Sequence, residues 1–79
     1  MRIISQFDSI DVPYDRCILW VKDGSNTILC SPAGEANDVM VMAKYSTKEK
    51  TEKALRKMRK QYMEERGNTY FIFPSEDEV

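Results

Sequence analysis

The sequence predicts a small α+β fold. We expect a mostly antiparallel β-sheet of four to five short strands, packed against one long helix in the C-terminal half, in the order ββββαβ. Two β-branched and aromatic runs flank the turn-forming residues DGSN at 23–26, and a helix-capping motif at Ser46 opens a stretch of helical periodicity. With 79 residues, the chain can support only one core. Residues 1–74 are therefore predicted to form one domain, and residues 75–79 an acidic tail with nothing to bury.

Strand-forming residues separated by turn formers fill most of the first half of the chain. RIISQ at 2–6 predicts a short strand. DVPYD at 11–15 predicts a turn or an edge strand, because Pro13 has no amide hydrogen to give to a central ladder. PAGEAND at 32–38 predicts a loop by its composition. Two further strands are predicted later in the chain, VMVMAKY at 39–45 and TYFIFP at 69–74.

The runs on either side of DGSN predict a β-hairpin that pairs residues 17–22 with residues 27–31. In this register Leu19 faces Cys30, and Cys17 lies diagonal to Cys30. Diagonal neighbours are about 7–8 Å apart, which exceeds the normal reach of a disulfide. We therefore expect both cysteines to be reduced thiols.

The predicted helix spans residues 47–66. Its predicted N-cap is Ser46, which forms an S-x-x-E capping box with Glu49. It ends before Gly67 and Asn68, which tolerate the left-handed conformation of a helix C-terminus. One narrow stripe of residues is expected to face the core: Thr51, Ala54, Leu55, Met58 and Tyr62.

The predicted strands carry more apolar surface than one helix can cover. In the first hairpin strand, Cys17, Leu19 and Val21 alternate with Ile18 and Trp20, so both faces are apolar. A single amphipathic helix covers only one face of a sheet. We therefore predict a homo-oligomer, with a dimer favoured, in which a second subunit covers the other face.

The residue types present exclude many enzyme chemistries. The chain has no histidine and two cysteines, so neither a Ser-His-Asp triad, a Cys-His pair nor a four-ligand Cys/His zinc site can be built on it. Its three glycines fall in no phosphate-binding loop motif. We predict a protein that is not an enzyme and that has no cofactor and no metal site. The absence of a long apolar segment predicts no membrane span and a cytoplasmic location.

Basic residues concentrate in the predicted helix. Residues 48–66 hold eight cations and four acids, whereas the rest of the chain holds four cations and nine acids. Within this span, Lys53, Arg56, Lys57 and Lys60 are like charges at helical spacing, which opposes helix stability unless a counter-charge is nearby. The acidic tail, an acidic partner protein, a phosphate-bearing ligand or nucleic acid could supply that counter-charge. The cluster could also be only a solvated face.

Two tyrosines complete the predicted site. A phosphate-bearing ligand such as a nucleotide could be held between the four cations and an aromatic ring, with Tyr14 or Tyr45 as the candidates for stacking. Nucleic acid is the least favoured ligand, because the isoelectric point of about 5.4 is far below the usual value for such proteins.

Several short motifs resemble a family of short uncharacterised proteins from phages and prophages of low-GC Gram-positive bacteria. These are MRIISQ at 1–6, DVPY at 11–14, AKYS at 43–46 and FIFPSEDEV at 71–79. The resemblance covers both ends of the chain and the start of the helix. It implies a setting in the host cytoplasm during phage or prophage life, but no activity.

Three functional hypotheses follow from these observations. The first is a non-enzymatic accessory protein of a phage or prophage that inhibits or modulates a bacterial host or defence protein by direct contact. The second is an oligomer that binds or sequesters a small nucleotide-like ligand. The third is nucleic-acid binding through the basic helix, which predicts affinity that falls steeply with salt.

Overall fold

The computed structural model describes residues 1–22, 24–33, 38–64 and 69–79. It confirms an α+β fold with the helix in the C-terminal half. The elements in chain order are β1 (Arg2–Ile4), β2 (Asp11–Pro13), a 3₁₀ turn (Tyr14–Arg16), β3 (Cys17–Val21), β4 (Thr27–Pro32), β5 (Met40–Lys44), α1 (Lys48–Glu64) and β6 (Tyr70–Ile72).

In the described residues the strands form two three-stranded sheets, where the sequence predicted one sheet. They number six in these ranges, where the sequence predicted four to five. One sheet has the order β3-β4-β5 and is antiparallel throughout. The other has the order β2-β1-β6, in which β1 pairs antiparallel with β2 and parallel with β6. The stretch at 11–15 thus supplies an edge strand followed by a turn, which suits the missing amide hydrogen of Pro13.

Gln6 joins the two sheets. It follows β1, and its main-chain N–H donates to the Met42 carbonyl on β5 at 2.7 Å. Its side-chain Oε1 accepts from the Lys44 N–H at 2.9 Å, while its Nε2 donates to the Pro74 carbonyl at 3.2 Å. One side chain therefore bonds to β5 and to the segment that follows β6.

The β3–β4 hairpin has the predicted register. Leu19 lies opposite Cys30, and Cys17 lies opposite Pro32, so the two cysteines are diagonal neighbours and both are free. Gly24 in the connecting loop adopts a positive φ of 77°, a conformation that costs glycine little. Asp23 lies outside the described residues.

Side chains from both sheets and the helix share one core. Its largest fully buried members are Phe73, Ile3, Ile28, Met42 and Met58. These side chains come from both sheets and from α1 and form one cluster. Displacing one sheet would therefore expose core side chains of the other. Within the described residues, no buried side-chain polar atom lacks a hydrogen-bond partner.

Helix α1 buries most of the predicted stripe. Thr51, Ala54, Leu55 and Met58 are buried, whereas Tyr62 lies at the rim and is exposed. The buried Thr51 hydroxyl donates to the Thr47 carbonyl one turn earlier at 3.0 Å. The predicted helix end at Arg66, Gly67 and Asn68 lies outside the described residues.

The predicted capping box at the helix start is wrong. The Lys50 N–H donates to the Thr47 hydroxyl at 3.2 Å, so Thr47 provides the N-terminal cap, one residue later than expected. Ser46 instead donates both its N–H and its hydroxyl to the Glu76 carboxylate, at 2.8 and 2.7 Å. The partner of Ser46 is therefore a glutamate from the last residues of the chain, and not Glu49.

Candidate functional site

Helix α1 presents the predicted cations on its solvent side. Lys53, Arg56, Lys57 and Lys60 are all exposed and lie opposite the buried stripe, because their positions are about half a helical turn from it. We call these four residues the basic face. Of these four residues, only Lys60 has an acidic partner in the part of the chain that the structure describes. Its Nζ lies 4.0 Å from Oε1 of Glu64.

A shallow groove of ≈ 310 Å³ adjoins the basic face. It is lined by Glu49, Lys50, Lys53, Arg56 and Val79. Three basic side chains and one acidic side chain thus line a recess at the surface, an arrangement that suits an acidic side chain or another anionic group. Lys53 and Arg56 are the members of the basic face that both line the groove and have no ion-pair partner among the described residues.

The last five residues pack on the domain, so the prediction that they have nothing to bury is wrong. Val79 is partly buried against the core. The Glu76 carboxylate forms an ion pair with Lys50 and accepts both hydrogen bonds from Ser46. It stands beside the N-terminus of α1, where the exposed amides and the helix dipole favour a negative charge.

The hydrogen bonds from Lys50 and then from Ser46 lower the pKa of Glu76 from 4.5 to about 2. A carboxyl group whose pKa is depressed in the folded state stabilises the fold above its unfolded pKa, and this contribution is lost as the pH falls through the folded pKa. The contribution of Glu76 is therefore complete above about pH 4.5 and fades between pH 4.5 and about pH 2.

We expect Glu76→Gln to lower the thermal unfolding midpoint at neutral pH, because the ion pair with Lys50 is lost. The deficit relative to the unmodified protein should shrink as the pH is lowered from about 4.5 to about 2. Thermal unfolding followed by circular dichroism across this range measures both effects. Asp77→Asn is the matched control, because Asp77 is exposed and forms no ion pair with any other residue that the structure describes. A deficit of equal size for both variants would contradict the anchoring role of Glu76.

The tail supplies little counter-charge to the basic face. The Glu76 carboxylate is bound to Lys50 and Ser46, and the Glu78 carboxylate accepts from the Ser75 hydroxyl at 2.8 Å. Among the described residues, one hydrogen bond joins the tail to the basic face, donated by Lys57 to the main-chain carbonyl of Glu78 at 3.5 Å. The geometry therefore disfavours the acidic tail as the counter-charge of the basic face.

Tyr45 is not placed to stack on a ligand. It is only 4% exposed, and its hydroxyl donates to the Pro74 carbonyl at 2.7 Å. Burial, followed by the nearby Glu76 carboxylate, raises its pKa to about 12, so the phenol stays protonated. Its role is in the core and not in a binding site.

A β-bulge explains why Tyr45 turns inward. Leu29 pairs with Val41 whereas Ile28 pairs with Ala43, so β5 holds one extra residue, Met42, at this point. The extra residue reverses the alternation of the positions that follow it. Ala43 and Tyr45 consequently face the core and Lys44 faces solvent.

Tyr14 is also separated from the basic face. Its ring packs edge-on against that of Tyr62, with centroids 4.6 Å apart and planes at 70°. Tyr62 continues the buried stripe of α1, so this aromatic pair lies on the opposite side of the helix from the four cations. The structure brings the four predicted cations together but brings neither tyrosine to them.

Neither cysteine is an activated nucleophile. Cys17 donates weakly to the Tyr14 carbonyl, and burial together with the neighbouring Asp15 raises its pKa. Burial, followed by the effect of Cys17, raises the pKa of Cys30 to about 11. Both groups remain thiols at neutral pH, and a thiol is a far weaker nucleophile than a thiolate.

A second concavity, of ≈ 350 Å³, lies between the β3–β4 loop and the first half of α1. Sequence reasoning did not find it, because the loop and the helix that form it are distant in the chain. Lys22, Lys48 and Glu52 supply its charged groups. Lys48 approaches Glu52 at 4.0 Å, so part of this charge is balanced within the site.

The outer face of sheet β3-β4-β5 carries the predicted surplus of apolar side chains. Ile18 on β3 is 56% exposed and Val41 on β5 is 46% exposed. Trp20, Leu29 and Val41 form one row across the three strands, with Trp20 and Leu29 half-buried. Ile18 and Val41, on the two edge strands, are therefore the most exposed apolar side chains of this sheet among the described residues.

No group of three or more His, Cys, Asp and Glu residues is placed to hold a metal ion within the described ranges. None of the helices in those ranges combines the length and the apolar character needed to cross a membrane. Comparison of the chain with protein-family models, with curated proteins and with solved structures gives no match.

Proposed function

We propose that this chain is a non-enzymatic accessory protein of a phage or prophage that acts in the cytoplasm of a bacterial host. It binds a host or defence protein by direct contact and thereby inhibits or modulates it. The contact is made by the basic face and the adjoining groove, against an acidic surface of the target. The phage setting rests on the resemblance of the motifs MRIISQ, DVPY, AKYS and FIFPSEDEV.

The observation that carries this proposal is the unbalanced charge of Lys53 and Arg56. Both are exposed, both line the groove, and neither has an ion-pair partner among the described residues. Like charges at i,i+3 cost the helix a few tenths of a kcal/mol. An acidic partner surface would offset that cost on binding and would orient the approach of the target.

The arrangement favours a protein target over the other two ligand classes. A clamped nucleotide needs an aromatic ring beside the cations, whereas Tyr45 is buried and Tyr14 is engaged with Tyr62 on the other side of the helix. Nucleic acid is disfavoured by the net charge of −1 for the whole chain. A groove that is mainly cationic but also contains Glu49 suits a protein surface with mixed charge.

The double variant Lys53→Gln/Arg56→Gln tests the proposal. Glutamine preserves helix propensity and places no new carboxylate beside Glu49 or Glu52. We expect this variant to bind the target about tenfold more weakly, because exposed ion pairs contribute about 0.2–1 kcal/mol each. The tagged full-length protein would be used to capture partners from host lysate, followed by titration of any protein recovered.

Arg59→Gln is the matched control, since Arg59 is an exposed cation of the same helix outside the basic face. Support requires one protein that is captured by the unmodified chain and by the Arg59 variant, but lost with the double variant. Capture that is equal for all three chains would overturn the assignment of the basic face. Recovery that disappears after nuclease treatment would indicate nucleic acid instead.

A further inference from the structure

The two edges of sheet β3-β4-β5 differ in their hydrogen bonding. At the β5 edge, the Met42 carbonyl and the Lys44 N–H are both bonded to Gln6. The β3 edge has no equivalent hydrogen bonds among the described residues. Its outward main-chain groups can be identified from the pairing of β3 with β4.

Hydrogen-bonded pairs alternate along an antiparallel ladder. The Lys22 N–H donates to the Thr27 carbonyl at 3.0 Å, and the Ala33 N–H donates to the Arg16 carbonyl at 2.9 Å. Residues 18 and 20 lie at even spacing between Arg16 and Lys22, so their main-chain N–H and C=O groups also point toward β4. The N–H and C=O groups of Cys17, Leu19 and Val21 point away from β4, along the free edge.

Nothing in the described part of the chain occupies this edge. In the described ranges β3 is an edge strand paired with β4, and none of the main-chain hydrogen bonds found there outside the ladders involves Leu19 or Val21. The sequence CILWV also lacks the proline, glycine and charged residues by which proteins usually discourage pairing at an edge. This is an open edge of five apolar residues beside an apolar sheet face.

We infer that the β3 edge pairs with the β3 edge of a second copy of this chain. The two strands run antiparallel about a two-fold axis at Leu19 and join two three-stranded sheets into one of six strands. Full overlap places Ile18 opposite Trp20 of the second copy, and Cys17 opposite Val21 of the second copy. Every side chain brought together in this register is apolar, and the register is the only one that pairs all five residues.

Exposure favours a second copy as the occupant. Arg16 precedes β3 and Lys22 follows it, so this register places these like charges opposite each other at both ends and confines the pairing to the five apolar residues. Ile18 is the most exposed apolar residue of this sheet, and pairing covers it with an indole ring. The inference concerns a different surface from the basic face, so either proposal can fail without the other.

Ile18→Lys is the decisive variant, because a lysine on an edge strand opposes pairing with another strand and removes the apolar contact of Ile18 with Trp20 of the second copy. Val41→Lys is its control, since Val41 has a similar exposure on the same outer face but lies on the opposite edge strand. Sedimentation velocity at high micromolar concentration should show a dimer for the unmodified chain and for Val41→Lys, and a monomer for Ile18→Lys. Circular dichroism confirms that each variant is folded.

Amide hydrogen exchange provides a second measurement that needs no variant. Exchange at Leu19 and Val21 should slow as the concentration of the unmodified chain rises, because their N–H groups become bonded across the interface. Dissociation of both lysine variants would indicate that the outer faces stack, and would overturn the edge pairing. A monomer at all concentrations, or a dimer in which Leu19 and Val21 remain unprotected, would overturn it as well.

Discussion

Phe73→Ala should unfold most of the protein at physiological temperature. Phe73 is 1% exposed, and its ring packs edge-on against Phe71 with centroids 5.3 Å apart and planes at 88°. Removing a buried phenylalanine ring costs about 3–5 kcal/mol, through lost burial and the cavity that remains. Since total stabilities are roughly 5–15 kcal/mol, and small domains tend to lie at the lower end, little stability should be left.

Urea unfolding followed by the fluorescence of Trp20, the one tryptophan, measures this effect. Phe7→Ala is the matched control, because Phe7 is 72% exposed and its loss should change the stability by less than about 0.5 kcal/mol. The free energy of unfolding of Phe73→Leu should lie between those of Phe73→Ala and Phe7→Ala, since leucine keeps most of the apolar volume. If Phe73→Ala and Phe7→Ala were equally stable, the placement of Phe73 at the centre of the core would be wrong.

Gln6→Ala is expected to cost about 2 kcal/mol, since two hydrogen bonds at about 1 kcal/mol each are lost. The side chain accepts from the Lys44 N–H at 2.9 Å and donates to the Pro74 carbonyl at 3.2 Å, while the main-chain bond to Met42 is retained. The Lys44 N–H is left without a partner, so its hydrogen exchange should accelerate more than that of other β5 amides.

Urea unfolding and amide exchange of the same sample test this prediction. Gln61→Ala is the control, because among the described residues the Gln61 side chain makes one hydrogen bond, an exposed one to the Tyr70 carbonyl. We expect Gln61→Ala to lose less stability than Gln6→Ala and to leave the hydrogen exchange of the Lys44 N–H unchanged. Unchanged exchange at Lys44 in Gln6→Ala would contradict the role of Gln6 in joining the sheets.

Local patterns were sufficient for the elements whose partners are close in the chain. The register of the β3–β4 hairpin follows from alternation and the length of its turn, so Leu19 is opposite Cys30 as predicted. The buried stripe of α1 follows from helical periodicity, and the exposure of Lys53 and Arg56 follows from the same pattern. These features depend on neighbours in sequence, which a single sequence reports directly.

The features that sequence did not give depend on distant partners. Glu76 replaces Glu49 as the partner of Ser46, and no local pattern indicates that a carboxylate 30 residues away is near. The division into two sheets depends on the choice of β6 as the parallel partner of β1. Tyr45 was predicted to face a ligand, whereas the bulge at Met42 turns it into the core.

The topology of sheet β2-β1-β6 also bears on how the chain folds. Sheet β3-β4-β5 is a meander of consecutive strands, and such local pairings close short loops at small entropic cost. The parallel pairing of β1 with β6 instead joins the two ends of the chain, and the bond from Gln6 to Pro74 spans 68 residues. Because loop closure costs more entropy for this pairing, we expect this sheet to be completed after the meander has formed. A nascent chain that still lacks β6 has no partner for one edge of β1, and cannot bury Ile3 and Phe73 in the same core.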